Sequence, residues 1–170
     1  MTPKQFCAEL YPHALASQKK TGIAAEFTLA QAALETGWGK SAPGNMYFGI
    51  KAKPGEKRRQ LLVTREVLAT ATQEFPVVIS VKPILVNGKR MYEYRVKDWF
   101  REYDSPEESF NDHNRFFFTN TRYAAALQVR GDAEAFARAV AAAKYATDPD
   151  YAAVLVAVIQ TVRRNLPKQA

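Results

Sequence analysis

Cysteine is nearly absent from this chain of 170 residues: Cys7 stands alone, which excludes an internal disulfide and any multi-cysteine zinc site. Histidine is almost as scarce, with only His13 and His113, too few for a histidine-rich metal centre. No apolar run reaches the roughly 18 residues of a membrane span, and the longest nearly apolar stretch, Tyr151 to Ile159, falls well short. Residues 1–10 lack the basic-then-apolar order of a secretory signal. Internal repeats, low-complexity tracts, Gly-x-Ser-x-Gly, His-Glu-x-x-His and phosphate-loop patterns are all missing. Nothing in the residues calls for a metal or a cofactor.

What is present is an ordinary globular composition, 47% hydrophobic and 24% charged, with a formal net charge of +7. A chain of this length buries enough surface to fold without staples. Positive charge draws a protein toward polyanions such as nucleic acid, anionic lipid or an acidic wall polymer. The densest basic run, Lys51, Lys53, Lys57, Arg58 and Arg59, is interrupted by Pro54 and Gly55 and reads as a loop, so a nucleic-acid recognition helix is not expected.

Local signals divide the chain into helices, then strands, then helices. Thr2-Pro3-Lys4-Gln5 spells a capping box with proline in the first turn, and Phe6, Leu10 and Ala14 extend a helix to about Lys20. A second helix is expected from about Ala24 to Thr36, stopped by Gly37. Gln60–Val67 and Pro76–Val86 read as strands, and Asn87-Gly88 predicts a tight hairpin into Met91–Tyr94. Pro76 and Pro83 point to edge positions. Ser105-Pro106-Glu107-Glu108 spells a second capping box, a short helix is expected near Arg122, Asp132 caps a helix over 133–144, and Asp148-Pro149 opens the last helix to about Arg164. The fold class is therefore α+β: one domain over 1–170, a mainly helical body carrying a small β lobe at about 57–100, with a cleft suited to an elongated ligand.

The most informative stretch is Ala30-Gln31-Ala32-Ala33-Leu34-Glu35-Thr36-Gly37-Trp38-Gly39-Lys40-Ser41. Glu35 falls in the last turn of a helix, where the negative end of the dipole and the apolar neighbours both disfavour a carboxylate. Both effects raise its pKa, as a general acid requires near neutral pH. The competing assignment is a surface glutamate beside a core tryptophan. Trp38 is expected to pack on the acid or to wall the cleft.

This stretch, followed by Asn45-Met46-Tyr47-Phe48-Gly49-Ile50-Lys51, resembles glycoside hydrolase family 73, bacterial endo-β-N-acetylglucosaminidases that include the wall-cutting domain of flagellar-rod proteins. Phe100-Arg101-Glu102-Tyr103-Asp104-Ser105 with Glu108-Ser109-Phe110, and Tyr145-Ala146-Thr147-Asp148-Pro149-Asp150-Tyr151-Ala152, fit the same family, so the likeness runs from about Pro3 to Arg164. The resemblance implies a lysozyme-like α+β fold and hydrolysis of the β-1,4 bond on the reducing side of N-acetylglucosamine in peptidoglycan. It assigns Glu35 as the acid and expects a second carboxylate on the β lobe, since glycoside hydrolysis usually employs two. Val63-Thr64-Arg65-Glu66-Val67 makes Glu66 the best match, with Glu74 and Glu93 as rivals. Tyr145 matches a tyrosine that faces the reaction centre, and packing between helices is its alternative role. Asn45, Tyr47 and Phe48 are expected to line sugar subsites, with Phe48 equally suited to the core. Asp112 matches an acidic position that binds substrate or orders the cleft by pairing with an arginine. His113 is expected to be structural, and Cys7 a small buried hydrophobe.

Three function classes remain open at this level: a glucosaminidase; a muramidase or lytic transglycosylase using the same Glu35; and a non-catalytic glycan-binding or assembly protein. Without a secretory signal, a wall-cutting chain is expected to arrive by a phage lysis route or by injection as an antibacterial toxin. In the toxin case a cognate immunity protein would occlude the cleft of the enzyme.

Overall fold

The computed structural model describes residues 1–168, which cluster into two compact units. The first comprises Met1–Phe48 and the chain from Tyr103 onward; the second is Gly49–Glu102. Among the described residues no helix is long and apolar enough to cross a membrane.

The first unit is helical. It contains α1 (Pro3–Thr21), α2 (Ala25–Thr36), α3 (Pro106–Thr119), α4 (Ala133–Ala142) and α5 (Tyr151–Asn165), with single 3-10 turns at Pro43–Asn45, Thr121–Tyr123 and Ala126–Val129. The capping box at Thr2 forms in full: Gln5 N–H donates to Thr2 Oγ1 at 3.2 Å, and Thr2 N–H donates to Gln5 Oε1 at 2.9 Å. The helix then runs through an interior proline, Pro12, which removes one backbone donor. At Ser105 the box is skewed. Ser105 Oγ accepts from Glu108 N–H, but the Glu108 carboxylate accepts from Asp104 N–H, one residue early. The last helix also starts later than its Asp-Pro signal implies. Asp148 Oδ1 and its carbonyl instead accept from Asp150 and Tyr151 N–H groups, so a turn precedes α5.

The core of this unit is aromatic. Phe27, Phe117 and Phe136 are fully buried, with ring centroids 4.5–5.8 Å apart. Each such side chain contributes about 2–3 kcal/mol through burial. Phe6 and Leu10 of α1 and Leu155 and Ile159 of α5 are also fully buried, and the two helices are in contact. One polar knot crosses this apolar interior: Asn114 on α3 donates to Ser17 Oγ on α1 and to Thr28 Oγ1 on α2, both at 3.2 Å. Cys7 is buried and its thiol pKa is pushed up to about 11 by burial.

The second unit is a three-stranded antiparallel sheet in the order β1-β3-β2, where β1 is Arg59–Leu68, β2 is Val77–Val86 and β3 is Lys89–Arg101. Asn87 and Gly88 both take positive φ, 49° and 75°, which closes the β2–β3 hairpin in two residues. Pro83 lies on β2, an edge strand, where a missing donor is tolerated. Tyr94, Val96 and Phe100 are the buried residues of β3, and the register sets Glu66 opposite Tyr94 and Thr64 opposite Val96.

Candidate functional site

Helix α2 is unusually apolar, with nine of its residues buried, and it ends in a left-handed turn. Gly37, Trp38 and Gly39 take φ of 58°, 60° and 74° in succession. Glycine adopts this region freely, whereas a tryptophan there stores strain on the order of 1–2 kcal/mol. Thr36 closes the turn from inside: its hydroxyl donates to Ala32 O at 2.7 Å and accepts from Gly39 N–H at 2.8 Å. Gly39 is also required sterically, because a Cβ there would come within 2.4 Å of Met1 Cε and 3.3 Å of Phe6 Cδ2. Trp38 is half-buried and packs edge-on against Phe6, with centroids 5.5 Å apart, so part of its ring is committed to α1.

Glu35 is the penultimate residue of α2. The residue as a whole is solvent-accessible, yet partial burial among its neighbours raises its carboxyl pKa above the ordinary value. The carboxyl is reachable, and the shift is in the direction that a general acid requires. Its charge is felt by two phenols. Burial first, then the neighbouring Tyr151 and Glu35, drive the Tyr145 pKa far upward. Burial and Glu35 push Tyr151 up to about 12, against the opposing effect of a hydrogen bond from Gln31. Both tyrosines are neutral hydroxyl groups at any working pH.

Gln31, one turn before Glu35 on α2, organises the surroundings. Its Nε2 donates to the Tyr151 hydroxyl at 2.8 Å, and its Oε1 lies 2.8 Å from His113 Nε2. Since the amide nitrogen faces the phenol, its oxygen accepts and His113 must carry its proton on Nε2. His113 is buried and its pKa is lowered to about 3 by that burial, with Asp112 opposing, so the ring is a neutral donor. Tyr145 stacks on Tyr151 at 5.5 Å and on Phe117 at 5.6 Å, tying the loop before α5 to the aromatic core.

Two of the residues expected at sugar subsites are buried. Phe48 is only 4% exposed, and a face of its ring is stacked on His113 at 3.7 Å. Tyr47 is 5% exposed, packs against Phe110 at 5.4 Å, and its backbone N–H donates to Ser109 Oγ. Both rings are packed against neighbours in the helical unit. Asn45 is half-buried at φ 55°, and its Nδ2 donates to Tyr103 O at 3.0 Å. Asp112 is likewise engaged within the protein: Tyr103 donates its hydroxyl to Oδ2 at 2.6 Å, and Arg115 lies 3.6 Å from Oδ1. These contacts fix the orientation of its carboxylate.

The three candidate carboxylates of the β unit differ in setting. Glu66 is half-buried on β1, 2.7 Å from the Lys51 ammonium, which also lies 3.1 Å from Asp98. Glu93, on β3, is held by Arg65. Glu74 is exposed in the connection between β1 and β2. Sequence reasoning missed Gln31, Tyr151 and Asp98 as site residues. Gln31 carried a readable signal, a lone amide on an alanine-rich helix one turn from Glu35; Asp98 carried none, because its position depends on strand register.

The glucosaminidase family profile, described as mannosyl-glycoprotein endo-beta-N-acetylglucosaminidase, matches residues 11–164. The peptidoglycan hydrolase FlgJ of Vibrio parahaemolyticus is 36% identical over 95% of this chain and 48% of its own length, so the chain spans about half of that relative. The exo-glucosaminidase LytG of Bacillus subtilis is 30% identical over 91% of this chain and 50% of its own length. Among solved structures, the glycoside hydrolase domain of Salmonella typhimurium FlgJ superposes with a TM-score of 0.67 at 31% identity, covering 95% of this chain and 98% of that one. A peptidoglycan hydrolase mutant from Sphingomonas sp. A1 gives 0.65 at 35% identity, over 95% and 97%. The fold is thus α+β of the lysozyme-like class.

Proposed function

Because the chain belongs to the glucosaminidase family of glycoside hydrolases, we propose that it cleaves the β-1,4 bond on the reducing side of N-acetylglucosamine in peptidoglycan, with Glu35 as general acid. The observation that carries this reading is the raised carboxyl pKa of Glu35 at the end of α2, beside two neutral phenols. Protonated Glu35 donates to the glycosidic oxygen as the bond breaks. Tyr145 supplies a hydroxyl that orients the acetamido group or the attacking water. Glu66 is the second carboxylate, favoured by the match of Val63-Thr64-Arg65-Glu66-Val67 to the family pattern; Glu74 is exposed in a connection, whereas Glu93 shares with Glu66 a half-buried strand position beside a cation. Names of relatives at 36% and 37% identity support peptidoglycan as the substrate, and a net charge of +7 suits an anionic wall.

Mass spectrometry of digested muropeptides tests this directly. Products ending in reducing N-acetylglucosamine are expected, and Glu35→Gln should abolish them while wall binding persists. Reducing N-acetylmuramic acid or an anhydro sugar would instead assign a muramidase or a lytic transglycosylase. The finer role is that of a phage lysin or a delivered antibacterial toxin, the latter held in check by a cognate immunity protein over Glu35. Co-purification of a small acidic protein that blocks cleavage is the result expected of the toxin.

A further inference from the structure

In the β unit, Lys51 lies between two carboxylates, and its own position is fixed from both sides of its peptide. Ala52 N–H donates to Trp99 O at 3.0 Å and Arg101 N–H donates to Ile50 O at 2.9 Å, while Lys51 itself forms an antiparallel bridge to Phe100. Asp98 is fixed as well: its Oδ1 accepts from Trp99 N–H at 2.8 Å, leaving Oδ2 to meet the ammonium at 3.1 Å. The other ammonium contact is Glu66 Oε1, at 2.7 Å. Burial alone would lower the Lys51 pKa, but the hydrogen bonds to Glu66 and Asp98 outweigh it and raise it, so the lysine stays charged.

We propose that Asp98 and Lys51 form a positioning pair that holds Glu66 by one oxygen and leaves its other oxygen to act on water. This inference rests on Glu66 being the second carboxylate. Asp98 touches no reacting atom in this arrangement; it restrains Lys51, and Lys51 restrains Glu66. A long ammonium side chain has several rotamers. A second carboxylate with a fixed orientation selects among them, as supporting contacts do at well-ordered catalytic sites. An ordinary surface ion pair would contribute little to either stability or rate. Two residues outside the reacting pair thus act in series on kcat.

The test is a set of steady-state measurements on soluble glycan strands, with Glu66→Gln as reference and thermal melting as a folding control. Glu66→Gln should abolish turnover; if it does not, the assignment of Glu66 fails and this inference with it. Given that loss, Lys51→Met should lower kcat by about tenfold or more with KM nearly unchanged, and Lys51→Arg should restore part of it. Asp98→Asn should lower kcat by a smaller factor. The double variant should be no slower than Lys51→Met alone, because Asp98 acts only through the lysine. Full kcat in Lys51→Met, or independent multiplication of the two effects, would overturn the positioning pair while leaving Glu66 in place. If Lys51→Met does not fold, the kcat of Asp98→Asn decides alone: an unchanged value refutes the proposal.

Discussion

The Gln31 amide donates to the Tyr151 hydroxyl at 2.8 Å, one helical turn from Glu35. This bond fixes the amide orientation, and with it the proton on His113 Nε2. Replacing Gln31 with Leu leaves the Tyr151 hydroxyl and the His113 donor without this shared partner. Each unsatisfied group costs about 1–3 kcal/mol, so a loss on that scale is expected in urea unfolding. Loss of activity without loss of stability would show that the amide serves chemistry alone.

Tyr145→Phe keeps the stacks on Tyr151 and Phe117 and removes only the hydroxyl. Loss of one hydrogen bond made in the transition state is worth on the order of 1 kcal/mol, about fivefold in rate. A kcat reduced by roughly that factor, with the melting temperature lowered by no more than the loss of the hydroxyl's contact with Gln31 accounts for, is the expected result. Full activity would return Tyr145 to a packing role.

Cleavage should persist to a pH above the ordinary carboxyl range, because the proposed acid, Glu35, acts only while protonated and its pKa is raised. As pH rises through that value, kcat/KM falls. Since ionised Glu35 is disfavoured in the folded protein, Glu35→Gln should not lower stability at neutral pH. A destabilised Glu35→Gln would mean that its carboxylate is a structural partner.

Acid stability should report His113. Its folded pKa is about 3, whereas an unfolded histidine titrates near 6.5. As pH falls between those values the unfolded state binds the proton first, and stability drops by up to about 1.4 kcal/mol per pH unit. Urea unfolding from pH 7 to pH 4 should show this slope, and His113→Gln should flatten it. Equal slopes would place the acid sensitivity elsewhere.

Gly39→Ala should destabilise the turn after Glu35. Its φ of 74° disfavours a side chain, and the new Cβ would press on Met1 and Phe6. Backbone strain of this kind costs about 1–3 kcal/mol. Met1 is the flexible end of a side chain, so Met1→Ala should recover part of the loss in a thermal melt.

The sequence alone determined the order of elements and the place of Glu35. Capping residues, the Asn87-Gly88 turn and the glycines after α2 act within a few residues of themselves, so their consequences are local and readable. The Thr2 box formed as spelled, whereas the Asp148-Pro149 signal opened a turn ahead of the last helix, because a turn and a first helical residue favour the same side chains. Tertiary structure decided what the aromatic and charged residues do. Phe48 was set against His113, Asp112 was taken up by Tyr103 and Arg115, and Asp98 was joined to Lys51. These outcomes depend on burial and on contacts between residues far apart in the chain. Spacing along the chain carries no record of them, since the packing that removes water from a ring or a carboxylate exists only after the elements have met.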